Sequence, residues 1–317
     1  MIPAAEAWKC VQLRKRRINS GLDRCFRRLL KEKKAGALTV SSGTSVSPAG
    51  RHLRLPIVDH VEVGPALWRL TLDAPDLARA SAPGQFVHVL CAGQSGYDPL
   101  LRRPFSIHDA DPNTGRVSLL YEVRGRGTAL LAKKSPGETL DLLGPLGQGF
   151  TLPESADARL LLVAGGIAVA PLYFLARRIA DSVGCQRATF LIGARTESML
   201  LCVDDFARLG DDVRVSTDDG SAGYHGFVTG LLNEYVSAAD AADAPLVYAC
   251  GPMPMLKAVA EITEAHGLKC QISAEAKMAC GVGACMSCAI KVRSGNSFKY
   301  VRACREGPVF DADEVIW

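Results

Sequence analysis

The sequence predicts a multi-domain chain with three parts: an antiparallel β-rich part, a parallel α/β part and a small cysteine-rich end. Three observations carry that reading. Residues 51 to about 152 hold short β-runs broken by Pro, Gly, Asp and Asn. From about 157 to 270, apolar strands alternate with helical stretches. Residues 271–317 are short and rich in cysteine. At 317 residues the chain also exceeds the roughly 250–300 at which one hydrophobic core stops growing. The boundaries drawn are 1–50 for a basic extension and linker, then 51–155, 156–270 and 271–317.

Residues 1–50 carry 11 Lys and Arg against 3 Asp and Glu, whereas residues 51–317 carry 26 against 30. The body is slightly acidic, which gives no footprint for nucleic acid. Residues 1–36 form a basic stretch with an amphipathic tendency, and 41–50 form a Ser/Gly/Pro linker. A transit peptide, a tail for an anionic partner, a solvated extension and a mis-called start all suit this head. No apolar signal-peptide core precedes it, because residues 11–34 are charged. Apolar residues at 48% and charged residues at 22% exclude a disordered, collagen-like or coiled-coil chain.

The β-rich part contains LRLPIVDHVEV, LWRLTL, GQFVHVL, FSIHDA and VSLLYEV, runs that suit an antiparallel barrel or sandwich. In the next part, the strands ARLLLVA, ATFLIGA, VRVST and PLVYAC alternate with the helical PLYFLARRIADSV and MPMLKAVAEITEAHG. The longest uncharged apolar run is 160–176, at the lower edge of the roughly 17–25 residues that cross a bilayer. Gly165, Gly166 and Pro171 interrupt it and Arg159 and Arg177 flank it, so it reads as strand, turn and helix with no membrane span.

The sharpest signal is the spacing Cys280-x4-Cys285-x2-Cys288-x15-Cys304. It is close to the pattern of plant-type 2Fe-2S centres, in which a tight loop brings three thiolates round two irons. Gly281 and Gly283 allow that loop its unusual dihedrals and close approach. A structural zinc knot is the competing reading, but zinc sites usually pair two C-x2–4-C knuckles and only one is clean here. The seven other cysteines (10, 25, 91, 185, 202, 250 and 270) are scattered and read mostly as small buried hydrophobes. Eleven cysteines without a secretion signal predict a reducing, cytoplasmic setting.

Arg103, Phe105 and Ser106 follow the run GQFVHVL, and LYEVRGRGT follows about 15 residues later. A flavin dinucleotide needs a cation for its diphosphate, hydrogen bonds and an apolar wall for its ring, and backbone amides for phosphate oxygens. Arg103 suits the first need, Phe105 and Ser106 the second, and Gly125, Gly127 and Thr128 the third. A glycine-rich turn at Gly165 and Gly166 lies between a strand and a helix, although it is not G-x-G-x-x-G. Cys250, Gly251 and Pro252 end a further strand, at the carboxyl edge where open α/β sheets bind ligands. Asp218, after the strand VRVST, is placed to meet a ribose. Each nicotinamide-side loop alone is also an ordinary turn.

These segments, with LGPLGQGF, TDDGSAGYHGFVT, CGPMPML and ACREGPVF in the same order, resemble the electron-transfer subunits of NAD-dependent dihydroorotate dehydrogenase. That family lies within the ferredoxin–NADP reductase superfamily, and the likeness covers about residues 51–317. It implies an antiparallel β-barrel FAD domain, an α/β parallel-sheet nicotinamide domain and a small C-terminal 2Fe-2S domain. It further implies that Arg103, Pro104, Phe105 and Ser106 hold FAD, with Leu120, Tyr121, Glu122, Gly127 and Thr128 completing the site. Cys280, Cys285, Cys288 and Cys304 would be the cluster ligands. The chain departs from the family at its nucleotide turn, often GGGIG, where Ala164 and Ala168 replace two glycines.

The resemblance implies a function in pyrimidine biosynthesis. A separate FMN-containing catalytic subunit oxidises dihydroorotate, and this chain carries the electrons through 2Fe-2S and FAD to NAD+, in a heterotetramer. No residue of this chain need then act as dihydroorotate's base. The small flavin subunit of an NADH-dependent ferredoxin–NADP oxidoreductase or sulfide dehydrogenase has the same layout. An Asp often stands at its first cluster-ligand position, where this chain has Cys280. A redox-sensing binding protein and a zinc-stabilised interaction module are rivals of other classes, and the full set of three electron-transfer segments argues against both.

Overall fold

The computed structural model describes residues 50–92, 98–184, 187–210, 212–239 and 243–317. All of them lie in one compact unit, Ser47–Trp317. Residues 1–49 of the basic head and linker, with Cys10 and Cys25, and Cys185 lie outside the described residues.

The first strands are β1 (Arg51–Gly64), β2 (Leu67–Asp73), β3 (Phe86–Val89), β4 (Arg103–Asp111), β5 (Arg116–Glu122) and β6 (Thr139–Leu146). They form a closed barrel in the order β1-β2-β5-β4-β3-β6. Closure is the work of β1. Its first half, Arg51–Pro56, pairs with β6, and its second half, Ile57–Gly64, pairs with β2 across an irregularity at Ile57/Asp59. A register shift of this kind bends a strand enough to serve two neighbours. Inward residues such as Leu70, Leu72, Val87, Ile107, Leu119 and Leu142 fill the interior. Helix α1 (Pro75–Ala80) contributes Leu77 to this core, and α2 (Arg126–Leu131) contributes Leu131.

The second layer contains β7 (Leu160–Gly165), α3 (Val169–Ser182), β8 (Ala188–Ala194), α4 (Val203–Ala207), β9 (Asp212–Thr217), β10 (Tyr224–His225), α5 (Val228–Ala238), β11 (Leu246–Cys250), α6 (Met253–Ala265) and β12 (Cys270–Ser273). The apolar run at 160–176 is therefore strand, turn and helix. No helix among the described residues is long and apolar enough to cross a membrane. In β7, Leu161 and Val163 pack with residues of α5 and α6, while Leu160, Leu162 and Ala164 pack with those of α3. Covering both faces explains why the strand is continuously apolar rather than alternating.

The C-terminal part forms β13 (Ala289–Ser294) and β14 (Ser297–Arg302), a hairpin, and then β15 (Val309–Asp311). β15 pairs antiparallel with β12, so the described sheet runs β10-β9-β8-β7-β11-β12-β15. The cysteine-bearing loop thus leaves one strand of the sheet and returns to it through the hairpin. Barrel and sheet meet where α3 packs on β4. Phe174 of α3 joins the barrel core, Arg177 pairs with Asp109, and Tyr173 stacks on His108 at 4.8 Å.

Candidate cofactor sites

β4 pairs with β3 so that Arg103, Pro104, Phe105 and Ser106 lie opposite Val89, His88, Val87 and Phe86. The two consecutive arginines differ in use. Arg102 is bound to Asp141, with Nη2 donating to Oδ1 at 2.5 Å and Nη1 to the Asp141 carbonyl at 3.1 Å. Arg103 Nη1 reaches only the carbonyl oxygens of Leu101 and Arg102. It has no carboxylate partner among the described residues, which leaves its charge available to an anion.

A cavity of about 250 Å³ opens beside β4. One wall is Pro104, Phe105 and Ser106 with Leu120, Tyr121 and Glu122 of β5. The opposite wall is Ile167, Ala168, Cys250 and Gly251, from the carboxyl edge of the sheet. Ser273, Glu275 and Met278, which lead into the cysteine loop, form a third side. All three parts of the chain therefore meet at one cavity. Arg103, Gly127, Thr128, Gly165, Gly166, Asp218 and Pro252 are not among its lining residues.

Several residues lining or flanking the cavity have their polar groups engaged elsewhere. His60 Nδ1 is 2.7 Å from the Lys134 carbonyl and must donate to it, so Nε2 accepts from the Tyr121 hydroxyl at 2.8 Å. Tyr121 therefore offers the cavity its ring rather than its hydroxyl. Glu122 accepts from Arg124 Nε at 2.7 Å and lies 3.7 Å from Arg195, which reaches across from the end of β8. The Thr128 hydroxyl accepts from the amides of Arg124 and Gly125 and donates to the Gly125 carbonyl, which fixes the turn before α2. A Cβ on Gly127 would lie 3.5 Å from Arg103 Cγ, so the turn and the free arginine are neighbours.

On the nicotinamide side, Gly165 and Gly251 belong to two turns packed against each other. A Cβ on Gly165 would lie 2.5 Å from Met255 Sδ and 3.6 Å from Gly251 Cα. Gly165 is thus packed closely against Met255, whereas Gly166, at φ +58°, faces open space. Burial pushes the Cys250 thiol up to about 12, so it stays protonated in the cavity wall. Asp218 is exposed at the end of β9, with its amide donating to the Ala194 carbonyl.

The cysteine loop holds its thiols in two pairs. Cys285 Sγ lies 3.4 Å from Cys280 Sγ. Cys304 neighbours Cys288, and burial, then that neighbour, push its thiol up to about 12. The hydroxyl and amide of Ser287 hold the Cys285 thiol down to about 6. No group of three or more His, Cys, Asp or Glu converges on one point among the described residues, as a single zinc ion would need. Two pairs suit two irons with two thiolates each. Backbone amides face the sulfurs: Gly283 N donates to Cys304 Sγ at 3.1 Å and Cys285 N to Cys280 Sγ at 3.4 Å. Gly281 and Gly283, at φ +67° and +78°, supply the left-handed turns this requires. Arg302 ties the loop to the hairpin through the Gly283 carbonyl at 2.6 Å, and Glu306 grips Arg302 at 2.5 Å.

Phe86, Ser273 and Glu275 are wall residues that the sequence motifs do not single out. For Glu275 a signal exists, since it lies five residues before Cys280. Phe86 lies in the run GQFVHVL, directly opposite Ser106.

A six-stranded barrel, a parallel sheet across a shared cleft and a paired-thiol loop define a flavin and iron–sulfur reductase of the ferredoxin–NADP reductase type. Residues 275–316 match the iron-sulfur cluster binding domain of dihydroorotate dehydrogenase B, and residues 162–261 match the oxidoreductase NAD-binding domain. The chain is 41% identical over 255 residues to the dihydroorotate dehydrogenase B (NAD+) electron transfer subunit of Desulforamulus reducens, covering 80% of this chain and 94% of that one. It therefore belongs to the family of dihydroorotate dehydrogenase B electron transfer subunits. Its fold is also similar to a chain of an NADH-dependent reduced ferredoxin-NADP oxidoreductase studied for flavin-based electron bifurcation, with TM-score 0.71, 29% identity and coverage of 87% and 92%. The ferredoxin NADP+ reductase of Neisseria gonorrhoeae, solved with FAD and NADP, shares the fold at TM-score 0.57 and 19% identity, covering 68% and 92%.

Proposed function

We propose that this chain takes electrons from a separate dihydroorotate-oxidising subunit and delivers them to NAD+. The observation that carries the reading is the shared cavity, whose walls come from the barrel, the nucleotide-side turns and the segment entering the cysteine loop. When bound, the 2Fe-2S cluster passes single electrons, NAD+ accepts a hydride, and FAD exchanges with both.

Pro104, Phe105, Ser106, Leu120, Tyr121 and Glu122 hold the flavin ring, which the small cavity suits better than a whole dinucleotide. Arg103 and the adjoining Gly127 turn, outside the cavity, meet the diphosphate, and Thr128 keeps that turn in shape. Cys250 and Gly251 receive the nicotinamide on the facing wall, while Gly165 and Pro252 shape the two turns. Gly166 gives the diphosphate room, and Asp218 meets a ribose. Cys280 and Cys285 bind one iron, and Cys288 and Cys304 the other. The domain boundaries at 51–155, 156–270 and 271–317 follow the same division of labour.

The partner carries FMN, and the two subunits form a heterotetramer. Val282 and Met286, beside Cys285, are 43% and 54% exposed, an apolar surface placed where a one-electron donor must dock. Free, clustered thiols suit a reducing compartment such as the cytoplasm. The test is anaerobic NADH formation from dihydroorotate and NAD+. The chain alone should give none, and addition of the FMN-bearing subunit should create it. Turnover of dihydroorotate by the chain alone would overturn the reading.

A further inference from the structure

Strand β3 alternates its side chains across the barrel wall. Val87 and Val89 enter the barrel core, so Phe86 and His88 share the opposite face. Phe86 lines the cavity assigned to the flavin ring. His88, two residues on, lies against the cysteine loop, and a Cβ on Gly281 would fall 2.4 Å from His88 Nδ1. The imidazole therefore fills the space that a side chain beside Cys280 would need, and Gly281 is required for the contact.

The ring is 1% exposed; the backbone carbonyls of Cys280 and Arg102 lie near it, but neither ring nitrogen makes a hydrogen bond of good geometry among the described residues. Arg102, the nearest cation, directs its guanidinium to the carbonyl of His88 and to Asp141 rather than to the ring. Buried polar groups are nearly always satisfied, and an orphan of this kind marks a missing partner. The group that belongs beside Cys280 is the iron–sulfur cluster.

We propose that His88 donates a ring N–H hydrogen bond to the sulfur of the cluster held by Cys280, Cys285, Cys288 and Cys304, and so raises its reduction potential. This rests on the ligand reading given above. A hydrogen bond to sulfur favours the more negative, reduced cluster and moves its potential upward. His88 is thus a tuning residue set in the strip of barrel wall that joins the two electron carriers.

The test is pulsed EPR of the dithionite-reduced holoprotein labelled with 15N-histidine. A weakly coupled histidine nitrogen is expected in the wild type and in His52→Gln, and its loss in His88→Leu. Potentiometric titration should show the His88→Leu cluster harder to reduce by about tenfold in equilibrium constant, which is 59 mV for one electron. His88→Gln, which keeps a donor, should recover part of that shift. A normal 2Fe-2S signal without histidine coupling overturns the inference and leaves the ligand assignment standing, as does an unchanged potential in His88→Leu. No 2Fe-2S signal at all overturns both. If His88→Leu loses the cluster, the labelled wild-type spectrum decides the matter.

Discussion

Arg102 and Asp141 join two non-adjacent segments of the barrel, with the guanidinium donating to both the carboxylate and the backbone carbonyl of Asp141. Burial raises the Asp141 carboxyl, but hydrogen bonds from His52 and Arg102 outweigh it and hold the group below its ordinary value. Arg103, one residue away, makes no such link among the described residues.

The two arginines should therefore separate in mutagenesis. Arg102→Ala is expected to destabilise the barrel by about 2 kcal/mol, the scale of a charge-assisted hydrogen bond, with a lower thermal midpoint. Arg103→Ala should leave that midpoint nearly unchanged while FAD affinity falls about tenfold or more. Flavin content after extensive dialysis, measured beside the melting curve, distinguishes them. Equal flavin retention in Arg103→Ala and wild type would remove Arg103 from the site.

Gly165→Ala should impair nucleotide use without stripping either cofactor. Its methyl would lie 2.5 Å from Met255 Sδ and 3.2 Å from Pro252 Cδ, so the Met255 side chain must shift between the two packed turns. A rise of about tenfold in KM for NADH, with dye as acceptor, corresponds to roughly 1.4 kcal/mol. Adding Met255→Ala removes the obstruction and should restore most of the loss. No recovery in the double variant would show that the glycine serves something other than this contact.

His108 should make stability depend on pH. Burial, then Arg69 and Arg177, push its imidazole down to about 3. The folded value lies below the unfolded one, near 6.5, so the unfolded chain binds an extra proton between them. The stability this confers is complete above about pH 6.5 and is lost progressively as pH falls toward 3. His108→Gln should flatten the slope of unfolding free energy by up to about 1.4 kcal/mol per pH unit in that window. Urea midpoints at pH 4.5 and 7 measure it, and identical slopes in variant and wild type would contradict the neutral buried state.

The barrel strands and the sheet strands were legible because each is a local apolar run bounded by turn residues. The cysteine loop was legible for a related reason, since three of its cysteines lie within nine residues and their spacing alone constrains the loop. β6 was harder to see, because Gly144 and Pro145 interrupt its pattern and ordinarily argue against a strand. Structure supplies the reason for Gly144: a Cβ there would lie 2.7 Å from Val87 Cγ1, across the pair with β3. β12 and β15 are four and three residues long; β12 forms along β11, and β15 exists through pairing with β12 across the whole cysteine segment. The third wall of the cavity was hidden for the same reason. Ser273, Glu275 and Met278 reach it only because the sheet carries the loop there. His88 carries no motif, and its meaning lies in what β3 faces.

Coupling through the cluster is tested by Cys285→Ser assembled with the dihydroorotate-oxidising catalytic subunit. The variant should lose the iron absorption and keep FAD, because the thiol pairs lie outside the flavin walls. Reduction of a dye by NADH should persist near the wild-type rate, while NAD+-dependent oxidation of dihydroorotate should disappear. Coupled turnover at the full rate without the cluster would contradict an electron path through Cys280, Cys285, Cys288 and Cys304.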